Sequence, residues 1–203
     1  MTLWYTARGA GLSALVLLTV ATCLGALVSR RGDPARRYLV QYLHRACAGL
    51  GLAALAVHVT TIVLDSYSNV SWGGALVPFT AGYRPTWVGL GTVAVYTFLL
   101  VSMLGLARGR MAASPRAARA WRAVHGLAYV GWLSAMLHGF TSGTDSSVGW
   151  VRALYLLCLV AVVGSVAARI AAARSPRLGL GPAAGVSTAF RPATGPKPQG
   201  GVR

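Results

Sequence analysis

Five apolar blocks, at residues 11–28, 39–64, 87–107, 120–140 and 151–172, leave this chain few folds to choose from. Each comes close to the roughly 20 residues that a helix needs to cross a hydrocarbon core. The pattern predicts an all-α fold, a polytopic membrane bundle of five transmembrane helices. Composition agrees: only 11% of residues are charged, against about 25% in soluble domains. A soluble fold with that balance would expose large apolar patches to water. The first block could pass for a signal peptide. Its apolar run is long, however, no small-residue cleavage pattern follows, and Arg30 and Arg31 stop it directly. It is read as a retained helix.

The net charge of +16 would fit a nucleic-acid partner if the basic residues lined one face. They flank the apolar blocks instead, so no nucleic acid is expected. Arg30, Arg31, Arg36, Arg37 and Arg45 surround the first connection, and Arg108, Arg110, Arg116, Arg119 and Arg122 the third. Arg169, Arg174, Arg177, Arg191, Lys197 and Arg203 follow the last block, whereas only Arg8, Arg84 and Arg152 fall on the opposite side. Sixteen against three is a positive-inside signal, which predicts the N-terminus outside and the C-terminus in the cytoplasm. Trp4, Tyr5, Trp72, Trp87 and Trp150 then mark the outer boundary, where amphipathic rings are favoured. Eighteen arginines to one lysine, with abundant Ala and Gly, suggest a bacterial chain in the plasma membrane.

Two segments are expected outside the bilayer. Residues 66–86, with Gly73, Gly74, Pro78 and Pro85, are long enough to fold over the outer mouth of the bundle. Residues 175–203 are rich in Gly, Pro, Ala and Arg and are expected to form a disordered basic cytoplasmic tail behind a membrane domain spanning 1–174. The few acids have local uses. Asp33 before Pro34 is a helix-start signal, Asp145 with Ser146 and Ser147 suits a cap for the last helix, and Asp65 lies at the outer boundary. Cys23, Cys47 and Cys158 sit singly inside apolar blocks and read as small hydrophobes.

All four histidines lie inside predicted spans: His44 and His58 in the second, His125 and His138 in the fourth. Ionisable groups at membrane depth are expensive and mark function. The second and fourth spans run in the same direction, and at about 1.5 Å per residue the two pairs are separated by roughly 21 Å and 20 Å. His44 and His125 therefore share one level near the cytoplasmic side, and His58 and His138 share another near the outside. Two imidazoles at equal depth can clamp one planar iron porphyrin through its two axial positions. The step from 44 to 58 keeps both rings on one helix face, about 40° apart, but the step from 125 to 138 leaves a straight helix roughly 140° out. That predicts a kink or altered winding near Gly126 or Gly131.

The His quartet resembles the ferric reductase-like transmembrane domain family, which includes ferric reductases, NADPH oxidases and the haem-binding subunit of a periplasmic methionine sulfoxide reductase. His44-Arg45 through His58 to Asp65-Ser66-Tyr67 looks like the family's first haem helix. Trp121 to His138-Gly139, with Gly143-Thr144-Asp145, looks like its second. The likeness covers roughly residues 10–172. It implies two b-type haems, His44 with His125 on the inner and His58 with His138 on the outer, and electron transfer to an acceptor at the outer face. It also implies an electron donor. Many relatives carry a flavin and nicotinamide domain after the last helix, but here only low-complexity residues follow, and Gly179-Leu180-Gly181-Pro182 is no phosphate loop. Electrons are therefore expected from a separate cytoplasmic flavoprotein reductase or from membrane quinol, with a periplasmic protein or a ferric chelate as acceptor. No FAD or NAD(P) site is expected in this chain.

Arg45 and Arg122 lie close to the inner level, where haem carboxylates seek cations; both also suit ordinary cytoplasmic flanks. Tyr129, Trp132 and Met136 lie between the histidines of the fourth span and read first as core, with an aromatic relay the other reading. Three functions compete: a ferric reductase-like transmembrane electron carrier, a quinol-fed haem subunit of a periplasmic reductase, and a haem-free protein whose histidines handle metal or protons. Whether the chain is itself an oxidoreductase or an electron-transfer component stays open at this point.

Overall fold

A computed structural model describes residues 2–28, 33–111 and 114–174, with backbone alone at 110 and 111. The chain divides into one compact unit, Met1–Ala173, and a second, Arg174–Arg203. The expected tail from 175 onward lies outside the described residues. Within the first unit the described secondary structure is helical throughout.

Helix α1 (Thr2–Leu27) and helix α2 (Pro34–Leu64) form the first antiparallel pair. Asp33 starts α2 as its sequence suggests: its carboxylate accepts the N–H groups of Ala35 and Arg36, and Pro34 occupies the first turn, where no N–H is needed. Helix α4 (Pro85–Leu106) likewise begins on a proline. Between them lies the short helix α3 (Trp72–Leu76), capped by Ser71 Oγ on the Gly74 N–H. Residues 65–84 are fastened to the helices beneath them. Ser68 Oγ donates to the Ile62 carbonyl, Thr92 Oγ1 to that of Ala75 and Tyr96 to that of Leu76.

Helix α8 (Gly149–Arg174) closes the unit. Helices α1, α2, α4 and α8 are each long and apolar enough to cross a membrane. Their outward faces are apolar too, with Leu106 89% and Val160 67% exposed. Such surfaces are compatible with lipid and a multi-pass membrane protein.

The block expected as one helix over 120–140 is divided. After the single turn of α5 (Arg108–Met111), helix α6 (Pro115–His125) begins at a Ser114 cap, and helix α7 (Ala128–Ser142) follows. Gly126 and Leu127 lie between, with φ/ψ of −64°/−17° and −60°/−16°, values of a 3₁₀ turn. Leu127 N–H bonds the Val124 carbonyl at 3.0 Å and Tyr129 N–H that of Gly126 at 3.1 Å, each three residues back. The composition explains the division. Helix α6 carries Arg116, Arg119 and Arg122 and buries none of its residues, whereas α7 buries Gly131, Trp132, Ser134 and Met136.

The core lies between α1, α4, α7 and α8, where Leu15, Leu18, Phe98, Trp132, Val151 and Tyr155 pack together. Trp132 Nε1 donates to Thr19 Oγ1 at 2.9 Å, tying α7 to α1 in this apolar layer. Helix α2 stands outside that core. It is the longest helix, yet only Gly51 and Thr61 on it are buried.

Candidate functional site

Each of the four histidines is held in the same manner by a neighbouring helix. His44 Nδ1 lies 2.8 Å from the Ala21 carbonyl and His58 Nδ1 2.8 Å from that of Ala7, both on α1. His125 Nδ1 lies 3.2 Å from the Val101 carbonyl and His138 Nδ1 2.9 Å from that of Trp87, both on α4. A carbonyl only accepts, so every Nδ1 carries the proton and donates it. In the neutral ring Nε2 then keeps its lone pair free.

Glycine makes these contacts possible. In a helix the carbonyl of residue n bonds the N–H of residue n+4. Here residue n+4 is glycine in all four cases: Gly11, Gly25, Gly91 and Gly105. With no side chain over it, the carbonyl's second lone pair is open to an incoming imidazole. A Cβ on Gly11 would sit 2.8 Å from the His58 ring, one on Gly91 2.9 Å from His138 and one on Gly25 3.3 Å from His44. Gly105 is looser, at 3.8 Å from His125. These glycines were absent from the residues singled out above. Their signal was present all the same: 11 to 25 and 91 to 105 repeat the fourteen-residue step of His44 to His58.

Held this way, the rings meet across the gap between α2 and the α6–α7 helix pair. His44 faces His125 with ring centres 6.3 Å apart and planes at 66°. His58 faces His138, also at 6.3 Å, with planes at 74°. The structure thus brings the four histidines together as the two pairs that equal depth predicts. Among the described residues no three His, Cys, Asp or Glu side chains gather around one point. Cys23, Cys47 and Cys158 are free.

The outer pair borders a cavity of about 340 Å³. Its lining on α1 runs from Trp4 to Leu18, a rise of about 21 Å. Leu55, Ile62, Val95, Phe98 and Trp132 make its walls apolar, while Arg8, Tyr67, Tyr83 and Ser142 stand among its polar members. Tyr67, Ser68 and Val70, from the connection between α2 and α3, also line it. Ser142 Oγ, buried at the cavity, has no hydrogen-bond partner.

Other expected residues fall differently. Arg45 and Arg122 are exposed, and among the described residues neither side chain makes a hydrogen bond or ion pair. The Asp145 carboxylate pairs with Arg8 of α1, and a backbone bond from Val148 N–H to the Asp145 carbonyl makes the turn towards α8. Its first reading as a side-chain cap gives way to that ion pair, because the guanidinium is the stronger partner. Asp65 is buried at the end of α2 and accepts the Tyr67 N–H. Trp132 and Met136 belong to the core cluster, with Tyr129 packed against it. At the inner level, Trp121 stacks on His125 and Arg108 lies over Trp121, contacts that spacing alone did not reveal. No protein-family model, curated protein or solved structure matches this chain.

Proposed function

We propose that this chain carries electrons across a bacterial plasma membrane through two b-type haems, in the manner of the ferric reductase-like family it resembles. His44 with His125 hold the inner haem, and His58 with His138 the outer. The α6–α7 pair forms the fourth of five spans, with the N-terminus outside and the cytoplasmic ends rich in arginine. A separate cytoplasmic flavoprotein or membrane quinol supplies electrons, and a periplasmic protein or ferric chelate receives them. Arg45 and Arg122, beside the inner level, supply cations for the haem carboxylates.

The observation that carries this reading is the state of the four rings. Each has its Nδ1 proton spent on a carbonyl and its Nε2 free, the arrangement that fixes the tautomer of metal-bound histidines. The pair spacing fits an axial pair as well. With a metal–nitrogen bond of about 2 Å, a bound imidazole centres about 3.2 Å from the metal, so two in trans stand about 6.4 Å apart. Both pairs measure 6.3 Å. Two ligands without a third favour a metal whose other positions are filled by a macrocycle over a protein-only site such as four-coordinate zinc. The apolar cavity and the unpartnered Ser142 hydroxyl give the outer level room and a donor for such a group.

Haem iron, when bound, alternates between ferric and ferrous and so passes one electron at a time. The protein's own part is to hold both levels rigidly. Each histidine pair would hold such a group from both sides, a ligand set that suits electron transfer. Purified protein should show a b-type reduced-minus-oxidised spectrum, and His58→Ala should remove one haem and spare the other. Loss of both, or of neither, would sink the level-by-level assignment.

A further inference from the structure

His125 is held less firmly than the other three histidines. It is the last residue of α6, directly before the Gly126–Leu127 turn, whereas the others sit inside continuous helix. Its Nδ1 contact is 3.2 Å, against 2.8–2.9 Å elsewhere. The glycine opposite leaves it more space, 3.8 Å to a Cβ against 2.8–3.3 Å. Carbonyl and glycine alone would let this ring swing.

Among the described residues, a stacked aromatic side chain is found here and at none of the other three. The Trp121 indole stacks on the His125 ring, centres 4.8 Å apart and planes within 14°. The two residues are one helical turn apart on α6 and so share a face. Trp121 is itself anchored, since its Nε1 donates to the Leu104 carbonyl at 2.9 Å. Leu104 adjoins Gly105, so Trp121 and His125 dock on the same turn of α4. The Arg108 guanidinium lies 5.3 Å from the centre of the Trp121 ring, within the range of a cation–π contact.

We infer that Trp121 is the positioning residue of the inner site: it fixes the plane of His125 against His44, and Arg108 holds Trp121 while placing a positive charge beside the inner centre. The inference rests on the haem reading above. The stack replaces the rigidity that the helix break removes. The Arg108 charge favours the reduced, less positive iron, so it holds the inner potential up. The arginine is exposed, and solvent screening keeps that effect modest.

The test uses the full chain carrying His58→Ala, in which the inner haem alone remains. Trp121→Ala should shift the low-spin electron paramagnetic resonance signal, which follows the angle between the two imidazole planes, while Trp121→Phe should restore it. Arg108→Gln should weaken reduction about threefold, a downward shift of about 30 mV at 59 mV per tenfold for one electron. Arg108→Lys should lie between that value and the parent. An unchanged resonance signal in Trp121→Ala with an unchanged potential in Arg108→Gln would overturn the inference while leaving the haem reading intact. If Trp121→Ala fails to accumulate, the potential of Arg108→Gln decides alone. A parent chain without haem would defeat the haem reading itself.

Discussion

Each histidine ring gives one nitrogen to a helix carbonyl, and at His44, His58 and His138 a glycine stands where a side chain would crowd the ring. The consequence is graded. Gly11→Ala would force a methyl to 2.8 Å from the His58 ring, and overpacking of this kind costs about 1–3 kcal/mol. It should lower the haem content by about half and reduce thermal stability. Gly9→Ala, two residues away with nothing within 4 Å, should do neither. Gly105→Ala, with its nearest contact at 3.8 Å, should be close to silent. Pyridine haemochrome content and melting of the four proteins in detergent would check this order. The histidines were legible in the sequence because ionisable groups in apolar blocks stand out. The glycines were not, since glycine is common in this chain and its role depends on which carbonyl an imidazole reaches. The Arg8–Asp145 pair was hidden for a related reason: spacing along the chain says nothing about contacts between α1 and the loop before α8.

At the scale of elements, the turn at Gly126–Leu127 answers a conflict visible in the residue numbers. A thirteen-residue step at 100° per residue ends about 140° from its start, on the wrong side for a shared face. Winding at about 120° per residue through a 3₁₀ turn advances the second ring by about 20° for each residue involved. Two such residues recover about 40° of that mismatch. One alanine inserted between Gly126 and Leu127 should therefore be informative. Helix α7 is tied to α1 through Trp132 and Thr19, so the displacement falls on α6 and carries His125 out of register. The inner haem should be lost and the outer retained, as read from single-variant spectra. Trp132→Phe makes the complementary case. It removes one buried hydrogen bond, worth about 1 kcal/mol, and should lower the melting temperature with both haems kept. Helix ends were less legible than helix existence. The first two apolar runs begin at 11 and 39, but α1 and α2 begin at Thr2 and Pro34, because hydropathy marks what lipid can cover while caps and hydrogen bonds mark where a helix starts. The arginines of α6 had the same effect at 115.

At the scale of the unit that holds the histidines, the described helices form two antiparallel pairs, α1 with α2 and α4 with α7, which meet where α1 packs on α7 and where the imidazoles face one another, with α8 packed on the shared core. Helix α2 packs on α1 along one face and leaves most of its remaining surface exposed, which is why it buries so little of itself. The long apolar helices were readable from hydropathy, whereas the cavity that residues 65–84 help to line required the packed structure. The proposed orientation has its own check. In a chain with its native cysteines replaced, a membrane-impermeant maleimide should label a cysteine at Ser68 in intact cells. A cysteine at Ala117 should react only after the membrane is opened, and the reverse pattern would invert the assigned topology. The central claim is that two imidazole pairs each hold one haem. Haem per chain, measured in the purified protein and in each single histidine-to-alanine variant grown with ample haem supply, tests it most directly. The account predicts two haems in the parent and one in each variant, with matching spectra for His44→Ala and His125→Ala and a different matching pair for His58→Ala and His138→Ala. A colourless parent protein, or variants that do not fall into those two pairs, would contradict it.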